Sequence, residues 1–148
     1  MGARHGILFK HAEAIEQAAR LDVVIFDKTG TLTVGQPDVV QVVSAPGWDE
    51  IALMDTAAAV EAHSEHPLAQ AILKHAGPVR ERAVDYTNID GQGATGRVSG
   101  RWVHLGNRLL MTAQGVVLDA RDAQAETRKG VGRTVVYVAV DRQLAGVI

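Results

Sequence analysis

The sequence predicts an α+β fold, an antiparallel sheet flanked by helices, preceded by a helix and a strand of different, α/β character. Three observations predict it. Strand-like alternation recurs through the second half of the chain, in segments separated by glycine-rich turns. Two capped helical segments lie ahead of those strands. The apolar run at residues 21–26, "LDVVIF", lacks alternation and reads as a parallel strand covered on both faces.

Taken in order, "KHAEAIEQAARLD" predicts a short helix with Ala12, Ile15 and Ala19 on one face and Glu13, Glu16 and Gln17 on another. "LDVVIF" follows as the strand, and "TVGQPD" as a turn or linker near a domain boundary. "VVQVVSA" is a strand. "PGWDEIALMDTAAAVEA" is a helix with Asp49 as N-cap, and "PLAQAILKHAG" a second helix ending at Gly77. "RAVDYTNI", "GRVSG", "RWVHLG", "RTVVYVAVD" and "QLAGVI" then carry the alternation of a sheet. Short helices near residues 107–113 and 120–129 interrupt them. The expected organisation is a linker helix with a first strand and loop over residues 1–34. A main domain over 35–144 and the start of a return over 145–148 follow.

Composition narrows the function. At 47% hydrophobic and 22% charged over 148 residues the chain is globular in type. A net charge of -2 with no basic run gives no footprint for nucleic acid. Cysteine is absent, which removes disulfides and thiolate metal sites and fits a reducing compartment. No apolar run approaches the roughly 20 residues of a membrane-spanning helix. No signal core opens the N-terminus, so the chain reads as soluble and cytosolic-facing.

Asp27 ends the apolar strand where a Gly/Thr-rich loop begins, the place where open α/β sheets put ligands. A carboxylate there can attack a phosphoryl group, or it can simply cap a turn. Lys28, the Thr29 and Thr31 hydroxyls and the Gly30 N–H could hold the equatorial oxygens. The string "DKTGTLT" at residues 27–33 resembles, at every position, the phosphorylation signature of P-type ATPases. The resemblance implies that Asp27 takes the γ-phosphate of ATP, with Mg²⁺ held by Asp27 and Thr29. It also implies a phosphorylation domain of the haloacid-dehalogenase superfamily. Phosphatases of that superfamily carry a second Asp, an acid and base, where Thr29 stands. Without that base, hydrolysis of the acyl phosphate is slowed.

Three motifs follow. "EAHSEHPLA" holds Glu61, His66 and Pro67, and Pro67 alone reads as a helix start. "GQGATG" has the spacing of a dinucleotide loop, but strand alternation follows it, so a glycine-rich hairpin turn is the better reading. "LGNRLL" gives Asn107 as a helix N-cap. Together they resemble the heavy-metal-transporting subfamily of P-type ATPases. That resemblance implies that Glu61, His66, Gly91, Gly93, Gly106 and Asn107 form the site for ATP or ADP, with His66 orienting the adenine and Glu61 contacting it. Chemically, an imidazole suits a purine, and a carboxylate can accept from its exocyclic amine. His5, His11, His63, His75 and His104 lack the spacing of a metal site and are expected to be surface or structural residues. Trp48 and Trp102 are expected to pack.

The resemblance covers the whole chain, whereas the chain matches only part of such a protein. It implies a fragment: the nucleotide-binding domain with the start of an incomplete phosphorylation domain. Its partners would be the remaining phosphorylation, actuator and transmembrane domains of one polypeptide. The parent would sit in the cell membrane and couple ATP hydrolysis, through an aspartyl phosphate, to transport of a transition-metal cation. "GILFKHAEAIE" looks more like copper exporters than zinc or cadmium exporters. The fragment is expected to bind nucleotide without turning it over. The alternatives are a free-standing haloacid-dehalogenase-type phosphatase or phosphotransferase, which Thr29 and the inserted domain oppose, and a regulatory nucleotide-binding module.

Overall fold

The computed structural model describes residues 11–26, 37–118 and 133–148. The chain forms two compact units, Met1–Gly35 and Gln36–Ile148. In the first, helix α1 (Ala12–Ala18) carries Glu13 in its first turn, where an acid favours the helix dipole. Residues 21–26, expected as a strand, form none. Val23 and Ile25 are 73% and 90% exposed. The reason is pairing: a strand needs a neighbour for its N–H and C=O groups, and the described residues of this unit supply none. Asp27, Lys28, Thr29, Gly30 and Thr31, the expected phosphorylation loop, lie outside the described residues, as does the helix expected at residues 120–129.

The second unit is a six-stranded sheet, antiparallel throughout, in the order β1-β6-β5-β4-β3-β2. Its strands are β1 (Val43–Ser44), β2 (Val84–Ile89), β3 (Gly93–Val98), β4 (Arg101–Gly106), β5 (Tyr137–Val140) and β6 (Gln143–Val147). Helices α2 (Glu50–Glu61) and α3 (Pro67–Ala76) cover one face, and α4 (Arg108–Ala113) covers the other. Period-two alternation divides the core between them. Val103, Leu105, Val138 and Val140 meet Leu53, Met54, Val60 and Ile72 on the α2–α3 side. Tyr137 and Ala139 meet Leu110 and Met111 on the α4 side. Every residue of β5 is buried, because it is an inner strand with both faces covered.

The helices start where local chemistry says they should. The Asp49 carboxylate accepts from Ala52 N–H at 2.7 Å and caps α2. Pro67 opens α3 at a position with no need of an N–H, and Gly77, with φ of 81°, ends it.

Other expectations change. The strand foreseen over residues 39–45 shrinks to Val43–Ser44, the part that pairs with β6. β3 begins at Gly93, so most of "GQGATG" is ladder and only residues 90–92 turn. Residues 145–147 finish β6, and Ile148, just past its end, exchanges backbone hydrogen bonds with Val136. Trp48 packs against the core, but Trp102 is 46% exposed, with the Arg97 guanidinium 6.0 Å over its ring.

Leu53 is wholly buried between α2 and the sheet. Leu53→Ala is expected to lower unfolding free energy by about 3 kcal/mol, from lost transfer energy and the cavity left behind. Urea denaturation measures it.

Candidate functional site

The site is built around the place where β3 and β4 come closest. Their register sets Gly93 opposite Gly106. A Cβ on Gly93 would overlap the Leu105 carbonyl and the Gly106 Cα, and one on Gly106 would overlap the Gln92 carbonyl. The two missing side chains are therefore required first by each other. Gly93 also has φ of 142°, a conformation that L-residues resist. The same pair leaves bare backbone lining a cavity of about 460 Å³.

Asn107 locks this arrangement. Its Oδ1 accepts from Leu110 N–H at 3.2 Å and caps α4, while its Nδ2 donates to the Gly91 carbonyl at 2.8 Å. Its backbone N–H donates to the Gln92 carbonyl at 2.8 Å. Both ends of the amide are thus engaged within the protein. Asn107 fixes the 90–92 turn to the start of α4 as well as lining the cavity.

Glu61 and His66 come from the opposite side. Glu61 is the last residue of α2, a turn without a basic residue, where the helix dipole disfavours an acid. It is 8% exposed. Burial pushes its carboxyl up from the ordinary value of 4.5, and a hydrogen bond to Ser64 opposes that rise. His66 caps α3: its Nδ1 accepts from Leu68 N–H at 3.2 Å. With the Nδ1 lone pair used, a neutral His66 ring carries its hydrogen on Nε2 and offers a donor there.

The structure thus brings Glu61, His66, Gly91, Gly93, Gly106 and Asn107 to one cavity. Sequence reasoning missed Ser64 and Tyr86, which line it too. The Ser64 hydroxyl accepts from His66 N–H at 3.2 Å and hydrogen-bonds Glu61. Burial, and then the Glu61 charge, push the Tyr86 phenol up, while Ser64 again opposes the rise. Tyr86 stacks on His63, ring centroids 5.0 Å apart, and His63 Nε2 bonds the Ala83 carbonyl at 2.8 Å, so His63 is a structural support. The dipole-disfavoured acid at the end of α2 was the available sequence signal. Ser64 stands inside the quoted "EAHSEHPLA" and its bonds to Glu61 and His66 are local, whereas its contact with Tyr86 exists only once β2 is packed there. Among the described residues, no cluster of three or more His, Cys, Asp or Glu could hold a metal ion.

Comparisons with known proteins bear on this geometry. Residues 21–148 match the family described as hydrolase, haloacid dehalogenase-like hydrolase. The chain is 41% identical over 150 residues to a silver exporting P-type ATPase of Salmonella typhimurium, covering 99% of this chain and 18% of that protein. It is 40% identical over 147 residues to a copper-exporting P-type ATPase of Mycobacterium tuberculosis, covering 99% and 19%. The chain therefore spans less than a fifth of the length of these relatives. Among solved structures, a zinc-transporting PIB-type ATPase in the E2.Pi state aligns with a TM-score of 0.74 and 36% identity, over 99% of this chain and 24% of that one. The N-domain of HMA6, a copper-transporting P-type ATPase, aligns with a TM-score of 0.59 and 29% identity, over 74% and 94%.

Two outcomes follow from the geometry. Because the folded Glu61 carboxyl titrates above 4.5, the folded chain binds more protons than the unfolded one just above that pH. Stability therefore falls as pH rises through that window. Glu61→Gln removes the penalty: its melting temperature is expected to exceed wild type at pH 7, with the gap closing below 4.5, as thermal melts across pH would record. Asn107→Ala loses the cap and the clip together and is expected to cost about 2 kcal/mol, whereas Asn107→Asp keeps the cap and costs about half that. Denaturant melts of both variants separate the two bonds.

Proposed function

The chain belongs to the haloacid dehalogenase-like hydrolase family, and on that premise we propose that residues 36–148 are the ATP- and ADP-binding part of a P-type ATPase. The parent protein moves a transition-metal cation, copper by preference, across the cell membrane. One observation carries the reading. Residues from the end of α2, the cap of α3, the β2–β3 turn and the end of β4 converge on a single cavity. Its volume of about 460 Å³ lies within the roughly 300–1,000 Å³ of small-molecule sites.

Adenine recognition follows from the side chains. The Glu61 carboxylate accepts from the exocyclic amine, and His66 Nε2–H donates to a ring nitrogen. Leu68 and Val136 supply apolar walls, and the bare backbone at Gly93 and Gly106 lets the ring approach closely. The copper- and silver-exporting relatives match over the whole chain, which supports the metal class.

For the chemistry we assign Asp27 as nucleophile. A carboxylate oxygen bonds to the γ-phosphorus, the bond from that phosphorus to the ADP oxygen breaks, and an aspartyl phosphate results. Lys28, the Thr29 and Thr31 hydroxyls and the Gly30 N–H stabilise the equatorial oxygens. Mg²⁺, when bound, neutralises phosphate charge; Asp27 and Thr29 are its assigned holders, and both lie outside the described residues. With Thr29 in place of a general base, the acyl phosphate persists long enough to drive a conformational change.

Titrating ATP into the chain, while following the backbone amides of Gly91, Gly93 and His66 by NMR, tests the site. Saturable shifts at all three are expected, and unmoved signals would overturn the assignment. His66→Asn retains a capping acceptor but loses the Nε2 donor, so it is expected to keep its melting temperature and bind ATP about tenfold more weakly. GTP presents an oxygen where adenine presents its amine, and is expected to bind at least about tenfold more weakly than ATP because that oxygen faces Glu61.

A further inference from the structure

A second concavity, of about 470 Å³, is lined by Thr95, Trp102, His104, Gln114, Asp141 and Arg142. It shares no lining residue with the first. By alternation along β4, Trp102 and His104 face away from Val103 and Leu105, so this cavity lies on the α4 side of the sheet. The proposed nucleotide site makes no use of it.

His104 is the informative residue. It is 6% exposed, and its Nδ1 is the one buried side-chain nitrogen or oxygen among the described residues with no hydrogen-bond partner. Such a group is costly to leave unmet, and in native proteins it calls for an explanation. Thr95, also buried, stands directly opposite it in the β3–β4 ladder. Burial, and then the charge of Arg142, hold the imidazole below its ordinary 6.5, so at neutral pH the ring is uncharged. Nδ1 itself is closed to solvent, while the ring lines the cavity, and an uncharged imidazole can present one N–H there once the ring reorients.

The charges around it do not cancel. The Asp141 carboxylate is committed: one oxygen accepts from Arg101 Nε at 2.7 Å and the other from Trp102 N–H at 3.1 Å. Arg97, over the Trp102 ring, pairs with Asp85 at 3.5 Å. Arg142 forms no ion pair among the described residues. The cavity therefore combines a guanidinium that has no ion-pair partner among the described residues with hydrogen-bond donors from His104, Thr95 and Gln114. Planar guanidinium groups match the oxygens of carboxylates and phosphates.

We propose that this concavity is a second ligand site, which takes a small molecule bearing a carboxylate or phosphate oxyanion between Arg142 and the His104 imidazole. The exposed Trp102 ring walls the side on which the rest of the molecule would lie. The ligand is held by charge and hydrogen bonding, with no covalent step.

The test follows the His104 imidazole nitrogens by NMR in the whole chain while inorganic phosphate, acetate or chloride is added at matched ionic strength. A saturable His104 shift with phosphate or acetate, absent with chloride, is expected; the tighter of the two identifies the class. Arg142→Gln is expected to weaken that binding by about tenfold or more, and Arg142→Lys, which keeps the charge, to weaken it less. The Gly91 and Gly93 amides are expected to stay still throughout, which separates this site from the nucleotide cavity. A His104 signal that never moves, moves equally with chloride, or responds alike in wild type and Arg142→Gln would overturn the proposal. If Arg142→Gln fails to fold, the chloride comparison on the wild-type chain decides.

Discussion

The arrangement of the second unit depends on one close approach, that of the β3 backbone to the β4 backbone at Gly93 and Gly106. Neither residue could carry a Cβ without striking the other strand. Leu110 Cδ2 would also meet a Cβ on Gly106, at 2.9 Å, so α4 is set by the same contact. From it follow the tight 90–92 turn, the reach of Asn107 to the Gly91 carbonyl, and the bare lining of the cavity. A side chain at either glycine would remove space from the cavity, but before that it would force the strands apart. Binding and folding thus share one steric requirement.

How much of this was legible in the sequence depended on how local each cause was. The caps at Asp49 and Asn107 and the Pro67 start are set within a few residues, and the structure has them where the sequence points. Most of the antiparallel strands were legible for the same reason, since alternation is local. What failed needed knowledge of neighbours. The continuous apolar run at residues 21–26 predicted a strand covered on both faces, and without a ladder partner it is none. The same signature is found in β5, where an inner strand of an antiparallel sheet has helices on both sides. Continuous hydrophobicity reports two covered faces, and strand direction is a separate matter.

The cavity residues were legible only through resemblance. No property of Gly91 or His66 alone separates a site from a turn or a cap, and both are turn or cap residues here as well. Ser64 stands inside "EAHSEHPLA" without being one of its expected contacts, and Tyr86 belongs to no quoted motif of the site. They matter because the end of α2, the start of α3 and β2 meet there, and Ser64 ties Glu61 to the His66 backbone. Trp102 was misread for the converse reason: an aromatic in an alternating strand was expected inside, but its strand face lies beside an open concavity.

The two faces of the sheet treat their buried titratable groups differently, and the contrast is physically informative. Glu61 and His104 are both desolvated, which works against the charged form of each. Glu61 is partly compensated within the protein by Ser64, and the groups around it are doubly held: Asn107 by its two amide bonds, His66 by its cap and by Ser64. A ligand entering that cavity meets groups already fixed in place, so little ordering entropy remains to be lost on binding. His104 has no such compensation. A protein that satisfies every other buried side-chain polar atom among its described residues leaves this one unmet near a guanidinium that has no ion-pair partner among those residues. On the proposal of a second ligand site, the desolvation already incurred at His104 is offset by a group that enters from outside the fold.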